Sequence, residues 1–435
     1  MRNLTDSSSY IPHSMKISYL TSLLVTGAFL TFINGCMEEP LQANLDDANL
    51  FLDTLHLYDI EGVTYQIPPS IGSKTRLSLG HDDGFEYKAV LLKTSFISAQ
   101  SIQWVLASFI DTNIIIDSAF FTLHLAIDTL INPASFSLFS FPNVTDSVFS
   151  ESKSHYLNFT DSEISSGHYV ASAWEEEYEF IVDSVANSVF RVRFNVEDML
   201  DSTFLDTSLN YTLMLILDED DDELHSFYSR EYFSSENTTP ALDIYFRQFI
   251  YPDSADTSFD VLTDTLHRSF NVINDLSILV PPEISDEDSS FISISRGKGL
   301  RSLISLDFLD SLILPKQTTF DKAELTFYVV PDTTITTFSI IAIPLQDTVE
   351  LIDFEYFDED NFDSYNYLTV SGTVSNDKIV LNIKRFMQDH YFDHVNNLGI
   401  KLYSSVNNDI HSTVHLYSTD HDSLYPKLFI QYVAP

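Results

Sequence analysis

At 435 residues with 44% apolar side chains, the chain can bury the cores of two or three domains, which excludes wholesale disorder. Its 22 basic residues stand against 64 acidic ones, a formal charge of −42, and such a surface repels nucleic acid and anionic lipid headgroups. A polyanionic partner needs a local basic patch, and only small ones occur, such as Arg296, Lys298 and Arg301.

Met15-Lys16 opens an almost unbroken apolar run from Ile17 to Ile33, followed by Asn34-Gly35-Cys36. A basic start, an apolar core and a small residue before a cut describe a secretory signal. Cys36 is the only cysteine, so it has no partner for an internal disulfide. Ile33-Asn34-Gly35-Cys36 resembles a bacterial lipobox, with residues 1–35 removed and Cys36 acylated. A single membrane-spanning anchor is the alternative. The run is barely long enough for that, and the reading leaves Cys36 without a role. Met1 to Ser14 is polar and precedes a ready start at Met15. The expectation is a protein lipid-anchored at Cys36 on a bacterial outer membrane or cell surface, lifted off it by a tether over residues 36–50.

Beyond residue 50 the chain is written twice. Asp53-Thr54-Leu55-His56 returns as Asp264-Thr265-Leu266-His267, and Pro68-Pro69 as Pro281-Pro282. The strand-like Tyr87-Lys88-Ala89-Val90-Leu91 corresponds to Leu300-Arg301-Ser302-Leu303-Ile304. Asp117-Ser118-Ala119-Phe120-Phe121-Thr122 returns as Asp321-Lys322-Ala323-Glu324-Leu325-Thr326. Near the ends, His225-Ser226 matches His411-Ser412, and Pro240-Ala241-Leu242-Asp243-Ile244 matches Pro426-Lys427-Leu428-Phe429-Ile430. The matches are collinear, which chance does not produce. A period near 200 residues is too long for a solenoid unit and suits a whole domain. The copies are placed at 51–248 and 256–435, with 249–255 as a short linker.

Within each copy, short alternating runs lie between Asn, Asp and Ser turns, which predicts strands. In the first copy these are Arg76–Leu79, Lys88–Phe96, Ala119–Leu125, Phe136–Phe141, Phe190–Val196, Tyr211–Leu217, Leu224–Ser229 and Ala241–Phe246. In the second they are Ser302–Phe308, Ala323–Val329, Phe338–Ile343, Lys378–Ile383, Leu398–Tyr403, Val414–Tyr417 and Lys427–Val433. Short connecting helices are expected at Glu197–Leu200 and Lys384–His390. The fold class that follows is all-β, two tandem β-sandwich domains.

Each copy carries a basic residue before an apolar strand (Lys88; Arg301), an Asp-x-Ala strand and a closing Pro-x-Leu-x-Ile strand. The second also has Asn397-Leu398-Gly399-Ile400 at a strand entry, and the first has Ser229-Arg230-Glu231 before Pro240. In these features the chain resembles the extracellular DNRLRE-type domains. That resemblance implies jelly-roll-like β-sandwiches grouped with carbohydrate-binding modules, on secreted or surface proteins and often in tandem. The second copy departs from the pattern, with Leu416-Tyr417 near the place of the Arg-Glu pair.

Candidate chemistry is sparse. The acidic run from Asp218 to Glu223 offers Asp218, Asp220 and Asp222 as oxygen ligands for Ca²⁺, although it lacks the glycine-bearing alternation of a calcium loop. No other cofactor is expected. His390 and His394 lie four apart beside Asp389 and Asp393, a zinc spacing on a helix, but the Glu of a metalloprotease helix is missing and only two ligands are secured. The repeated His-Ser pairs lack the partnered base and strained elbow of a catalytic serine, so a structural role at strand ends is expected. Trp174, followed by Glu175-Glu176-Glu177-Tyr178, has the aromatic-plus-carboxylate character of a sugar-stacking site, whereas Trp104 sits in a core-like run. Trp174, Tyr178 and Arg230 are the candidate ligand-binding residues. The function expected is non-catalytic binding or presentation at the envelope, of glycan or matrix. The alternative is a structural or protein-interaction subunit of an envelope assembly.

Overall fold

A computed structural model describes residues 50–94 (without 59 and 73), 114–126, 136–141, 150–158, 168–172, 178–183, 187–194, 212–217, 223–232, 238–250, 261–347 (without 263, 333, 334 and 336) and 353–435 (without 420). Cys36, Trp104, Trp174, Asp218, Asp220, Asp222 and the helix expected at 197–200 lie outside these residues. The described chain forms two compact units. The larger comprises Thr54–Ile313 and Phe320–Gln431. The smaller holds residues 50–53, Leu314–Thr319 and Tyr432–Pro435, and in it the Tyr432 hydroxyl donates to Asp53 Oδ2 at 3.1 Å.

The described residues are 53% strand and 8% helical, which bears out the all-β class. The first copy contributes β1 (Phe51–Leu57), β2 (Gly62–Gln66), β3 (Arg76–Asp82), β4 (Phe85–Thr94), β5 (Ile114–His124) and β6 (Phe136–Phe141). It continues with β7 (His168–Ser172), β8 (Tyr178–Asp183), β9 (Asn187–Phe194), β10 (Thr212–Leu217), β11 (Leu224–Tyr228) and β12 (Ala241–Ile250). The second contributes β13 (Val261–Leu262), β14 (Leu266–Val280), β15 (Ile292–Ser295), β16 (Leu300–Ile304), β17 (Thr319–Tyr328) and β18 (Ser339–Pro344). It ends with β19 (Glu355–Tyr356), β20 (Val370–Thr373), β21 (Lys378–Asn382), β22 (Ile400–Ser404), β23 (Thr413–Leu416) and β24 (Lys427–Ala434). Two short helices are α1 (Asp286–Ser290) and α2 (Lys384–Tyr391), the latter where a connecting helix was expected. No described helix is long and apolar enough to cross a membrane.

Every predicted strand is present, with boundaries shifted by a few residues. At Ser302–Phe308 the strand stops at Ile304 and a 3-10 turn covers Asp307–Ser311. The Asp307 N–H donates to Ser305 Oγ at 3.3 Å, and this local bond competes with a strand ladder. The closing strands alternate as their sequences do. Leu242, Ile244 and Phe246 are buried in β12, and Leu428, Ile430 and Tyr432 in β24. In the Asp-x-Ala strands the alanine is the inward residue, for Ala119 and Ala323 are both fully buried.

The strand pairings do not follow the order of the copies. One sheet runs β7-β6-β10-β4-β14-β12-β5-β9-β8, with β3 on β4 and β11 on β3. The others run β19-β2-β16-β22-β18-β20 and β1-β24-β17-β21. β14 belongs to the second copy in sequence. Its leading half nevertheless pairs with β12, from Phe246↔Leu266 to Ala241↔Asn271. Its trailing half pairs with β4, from Val272↔Thr94 to Val280↔Glu86. Conversely, β2 pairs with β16, from Gly62↔Ile304 to Gln66↔Leu300, and β1 lies beside β24. β1–β2 and β14 are the same piece of the repeat, as are β12 and β24, and β4 and β16. Each copy therefore hands its opening strand to the sheets of the other. The boundaries 51–248 and 256–435 separate copies in sequence, not the sets of strands that pair. Pro68-Pro69 and Pro281-Pro282 follow the exchanged strands; lacking N–H groups, they end each ladder.

The exchanged strand β14 is built into the core. Phe270 and Val272 join Leu79, Val90, Phe121, Phe136, Phe227 and Leu242 in the largest described apolar cluster. A register shift between Val272 and Asn274 then turns the strand, so that Leu276 and Ile278 pack with Ala89, Leu91 and Met214 on the other face. Ala89, Val90, Leu91 and Leu92 are consequently all fully buried. A strand covered on both faces carries a continuous apolar run instead of alternation.

Candidate functional site

Four segments meet at a polar cleft: the chain after β2, the segment 150–158, β16 through Arg301, and the stretch 358–361. Gly299 closes the turn into β16 at φ +70°, and the Ile67 N–H donates to its carbonyl at 3.0 Å. A Cβ at position 299 would sit 1.8 Å from the Ile67 carbonyl oxygen, so glycine is what lets residues 67–72 lie against this turn. The 150–158 segment is fixed from within. The N–H groups of Lys153 and Ser154 donate to the Ser150 carbonyl at 3.1 and 2.8 Å. Tyr156 then packs against the apolar cluster of Leu91, Met214, Leu276 and Ile278.

The cleft between these segments has a volume of about 470 Å³ and is lined by Ser70, Lys153, His155, Asn158, Arg301 and the acidic stretch 358–361, among others. A smaller hollow of about 220 Å³ shares Ile67, Pro68, Ser70, Ser152 and Arg301 with it. Arg301 anchors the floor. Its guanidinium lies over the Tyr403 ring at 5.5 Å and donates to Asp360 Oδ2, which also accepts from Lys401 Nζ at 2.9 Å. Burial, with Arg301 nearby, pushes the Lys401 ammonium down to about 8. Burial also raises the Tyr65 hydroxyl above its ordinary range, so it stays protonated.

Two polar atoms of the cleft residues are buried without a hydrogen-bond partner, Asp360 Oδ1 and His155 Nδ1. Burial lowers the His155 pKa from its ordinary value, which keeps the imidazole neutral at pH 7. A buried polar group left unpaired costs about 1–3 kcal/mol, so the cleft holds hydrogen-bonding capacity that the protein itself does not satisfy.

The residues singled out in the sequence are placed differently. Tyr178 starts β8, opposite Val192 of β9. Arg230 lies in the turn after β11, where its Nε contacts Glu231 Oε1 at 2.6 Å and Glu151 Oε1 at 3.6 Å. The residues of the small basic patch each have partners within the protein. Lys298 is paired with the fully buried Asp288 at 2.8 Å, Arg296 donates to the carbonyls of Val406 and Gly72, and Arg301 is held by Asp360. His390 ends its helix near Asp310 at 3.4 Å, while His394 lies beyond the helix, 4.0 Å from Asp389. The repeated His-Ser pairs pack at strand ends. His225 stands edge-on to Phe136, and His411 stacks on Phe85 while its Nε2 meets the Tyr87 hydroxyl at 2.7 Å.

One constellation was not anticipated from the sequence. Glu151, Glu231 and Asp275 each place a carboxylate oxygen within 4.8 Å of the others, and they are the sole such group of three or more potential metal ligands among the described residues. The signal for it was present: Asp275 is the one charge inside Val272-Ile273-Asn274-Asp275-Leu276-Ser277-Ile278-Leu279-Val280. The chain matches no protein-family model and no curated protein.

Proposed function

We propose that this is a non-catalytic glycan-binding lipoprotein of the bacterial surface, anchored through Cys36, that receives polysaccharide in the cleft between residues 67–72, 150–158 and 358–361. The observation that carries the reading is the cleft's lining. Cationic, anionic and amide side chains converge there, and Asp360 Oδ1 and His155 Nδ1 have no partner. A sugar hydroxyl both donates and accepts, so a lining of mixed sign suits a neutral or weakly charged glycan better than a polyanion. The chain's −42 charge favours the same class. The DNRLRE-type resemblance and the lipobox-like Ile33-Asn34-Gly35-Cys36 point the same way.

The test is a polysaccharide screen with the full mature protein, followed by titration of each hit. Binding is expected to fall at least about tenfold in Lys153→Ala and in Asp358→Ala, the loss of one or two charge-assisted hydrogen bonds. Trp174→Ala serves as the independent control, because a loss confined to that variant moves the site away from the cleft. A flat screen together with co-purifying envelope proteins would favour the structural-subunit reading. Anchoring is checked separately. Metabolic labelling with a radiolabelled fatty acid is expected in the wild type and absent in Cys36→Ala, and equal labelling in both would remove the lipoprotein reading.

A further inference from the structure

We propose that Glu151, Glu231 and Asp275 form a binding site for a hard divalent cation, with Ca²⁺ as the ion the oxygen-only donor set suits. The three carboxylates come from separate parts of the chain: the 150–154 turn, the turn after β11, and the middle of the exchanged strand β14. Asp275 is 1% exposed, and its Oδ1 is buried with no hydrogen-bond partner. Its other oxygen, Oδ2, accepts from the Arg230 N–H at 2.9 Å.

The surroundings hold the cluster in place. Glu151 Oε1 accepts from Asn274 Nδ2 at 2.9 Å and from the Asp275 N–H at 3.1 Å. Ser229 Oγ donates to Glu231 Oε2 at 2.8 Å. Arg230 contacts two members of the cluster, Glu151 and Glu231. Burying like charges this close is unfavourable unless a cation or a proton joins them. Carboxylate oxygens supplied from three segments, with no fixed octahedron imposed, match the irregular coordination of Ca²⁺ better than that of Mg²⁺.

The test uses the full mature protein stripped with EDTA and titrated with CaCl₂ by calorimetry and by thermal melting. Wild type is expected to show saturable heat and a Tm that climbs with Ca²⁺. Glu151→Gln and Asp275→Asn are each expected to weaken that binding at least about tenfold, since even outer-shell groups at metal sites are worth that much. Asp275→Asn keeps the shape of the buried side chain, so it remains informative if Glu151→Gln does not fold. The acidic run Asp218–Glu223 is intact in both variants. Ca²⁺ binding that survives in both therefore belongs elsewhere and overturns the proposal, as does the absence of any Ca²⁺-dependent heat or melting shift in the wild type.

Discussion

A fragment covering residues 51–248 is expected to show no cooperative unfolding, whereas one covering residues 67–280 is expected to fold. The first is the complete first copy by sequence but lacks β14. The second omits β1 and β2 and includes β14. The cost of losing β14 can be sized from its buried side chains. Phe270, Val272, Leu276, Ile278 and Leu279 each sit at 8% exposure or less. At roughly 1.5–3 kcal/mol per buried apolar side chain they contribute on the order of 10 kcal/mol. That is comparable with the entire net stability of a domain, about 5–15 kcal/mol. Removal also leaves β4 and β12 with open edges toward the missing strand, which invites aggregation. Urea titrations followed by far-UV circular dichroism separate the two fragments. A sigmoidal transition in 51–248 with the slope expected for its size would show that the exchanged strand is dispensable.

Replacing Asp275 by Asn is expected to stabilise the metal-free protein above neutral pH and to leave it nearly unchanged near pH 4. Burial, together with the neighbouring Glu231 and Glu151, pushes the Asp275 carboxyl up to about 8, although the Arg230 N–H bond opposes the shift. In the unfolded chain the same group titrates near 4. Between those values the folded state holds a proton that the unfolded state does not. Stability from this group is therefore complete below about pH 4 and declines by about 1.4 kcal/mol per pH unit until it is lost near pH 8. Asn keeps the acceptor for the Arg230 N–H and presents N–H donors where the acid proton would sit, so it removes the decline. Melting curves in EDTA from about pH 4 to pH 9 should show the wild type losing several kcal/mol relative to Asp275→Asn. Parallel pH profiles for the two proteins would mean that Asp275 is ionised in the fold throughout. In saturating Ca²⁺ the order is expected to reverse, because the ion replaces the proton in the wild type and has lost a ligand in the variant.

The two exchanged stretches are not built alike. β14 makes a single uninterrupted strand, whereas the matching stretch is split into β1 and β2 around Tyr58 to Glu61. The acidic site follows from this arrangement. Asp275 is in the second copy by sequence, Glu151 and Glu231 in the first, and only β14's place beside β4 brings them together.

Much of the fold was written locally. Alternation in Leu242, Ile244 and Phe246, or in Leu428, Ile430 and Tyr432, reports a half-buried strand from side-chain period alone, and burial follows it residue by residue. Turn chemistry placed the boundaries within a few residues, and the 3.6-residue spacing found α2. The all-β class and the duplication follow from the same signals. Other features depend on which segments become neighbours, and no local signal encodes that. The strands of Asp53-Thr54-Leu55-His56 and Asp264-Thr265-Leu266-His267 were recognised as repeats, yet their swap is a matter of pairing across more than two hundred residues. Glu151 beside Arg230 and Asp360 beside Arg301 are likewise neighbours that only long-range pairing supplies. Sequence alone determined the strands and the repeated motifs, because each motif rests on contacts or chemistry within a few residues. Tertiary structure decided the strand exchange, the polar cleft and the Glu151–Glu231–Asp275 cluster, because each needs side chains that only long-range pairing brings within reach.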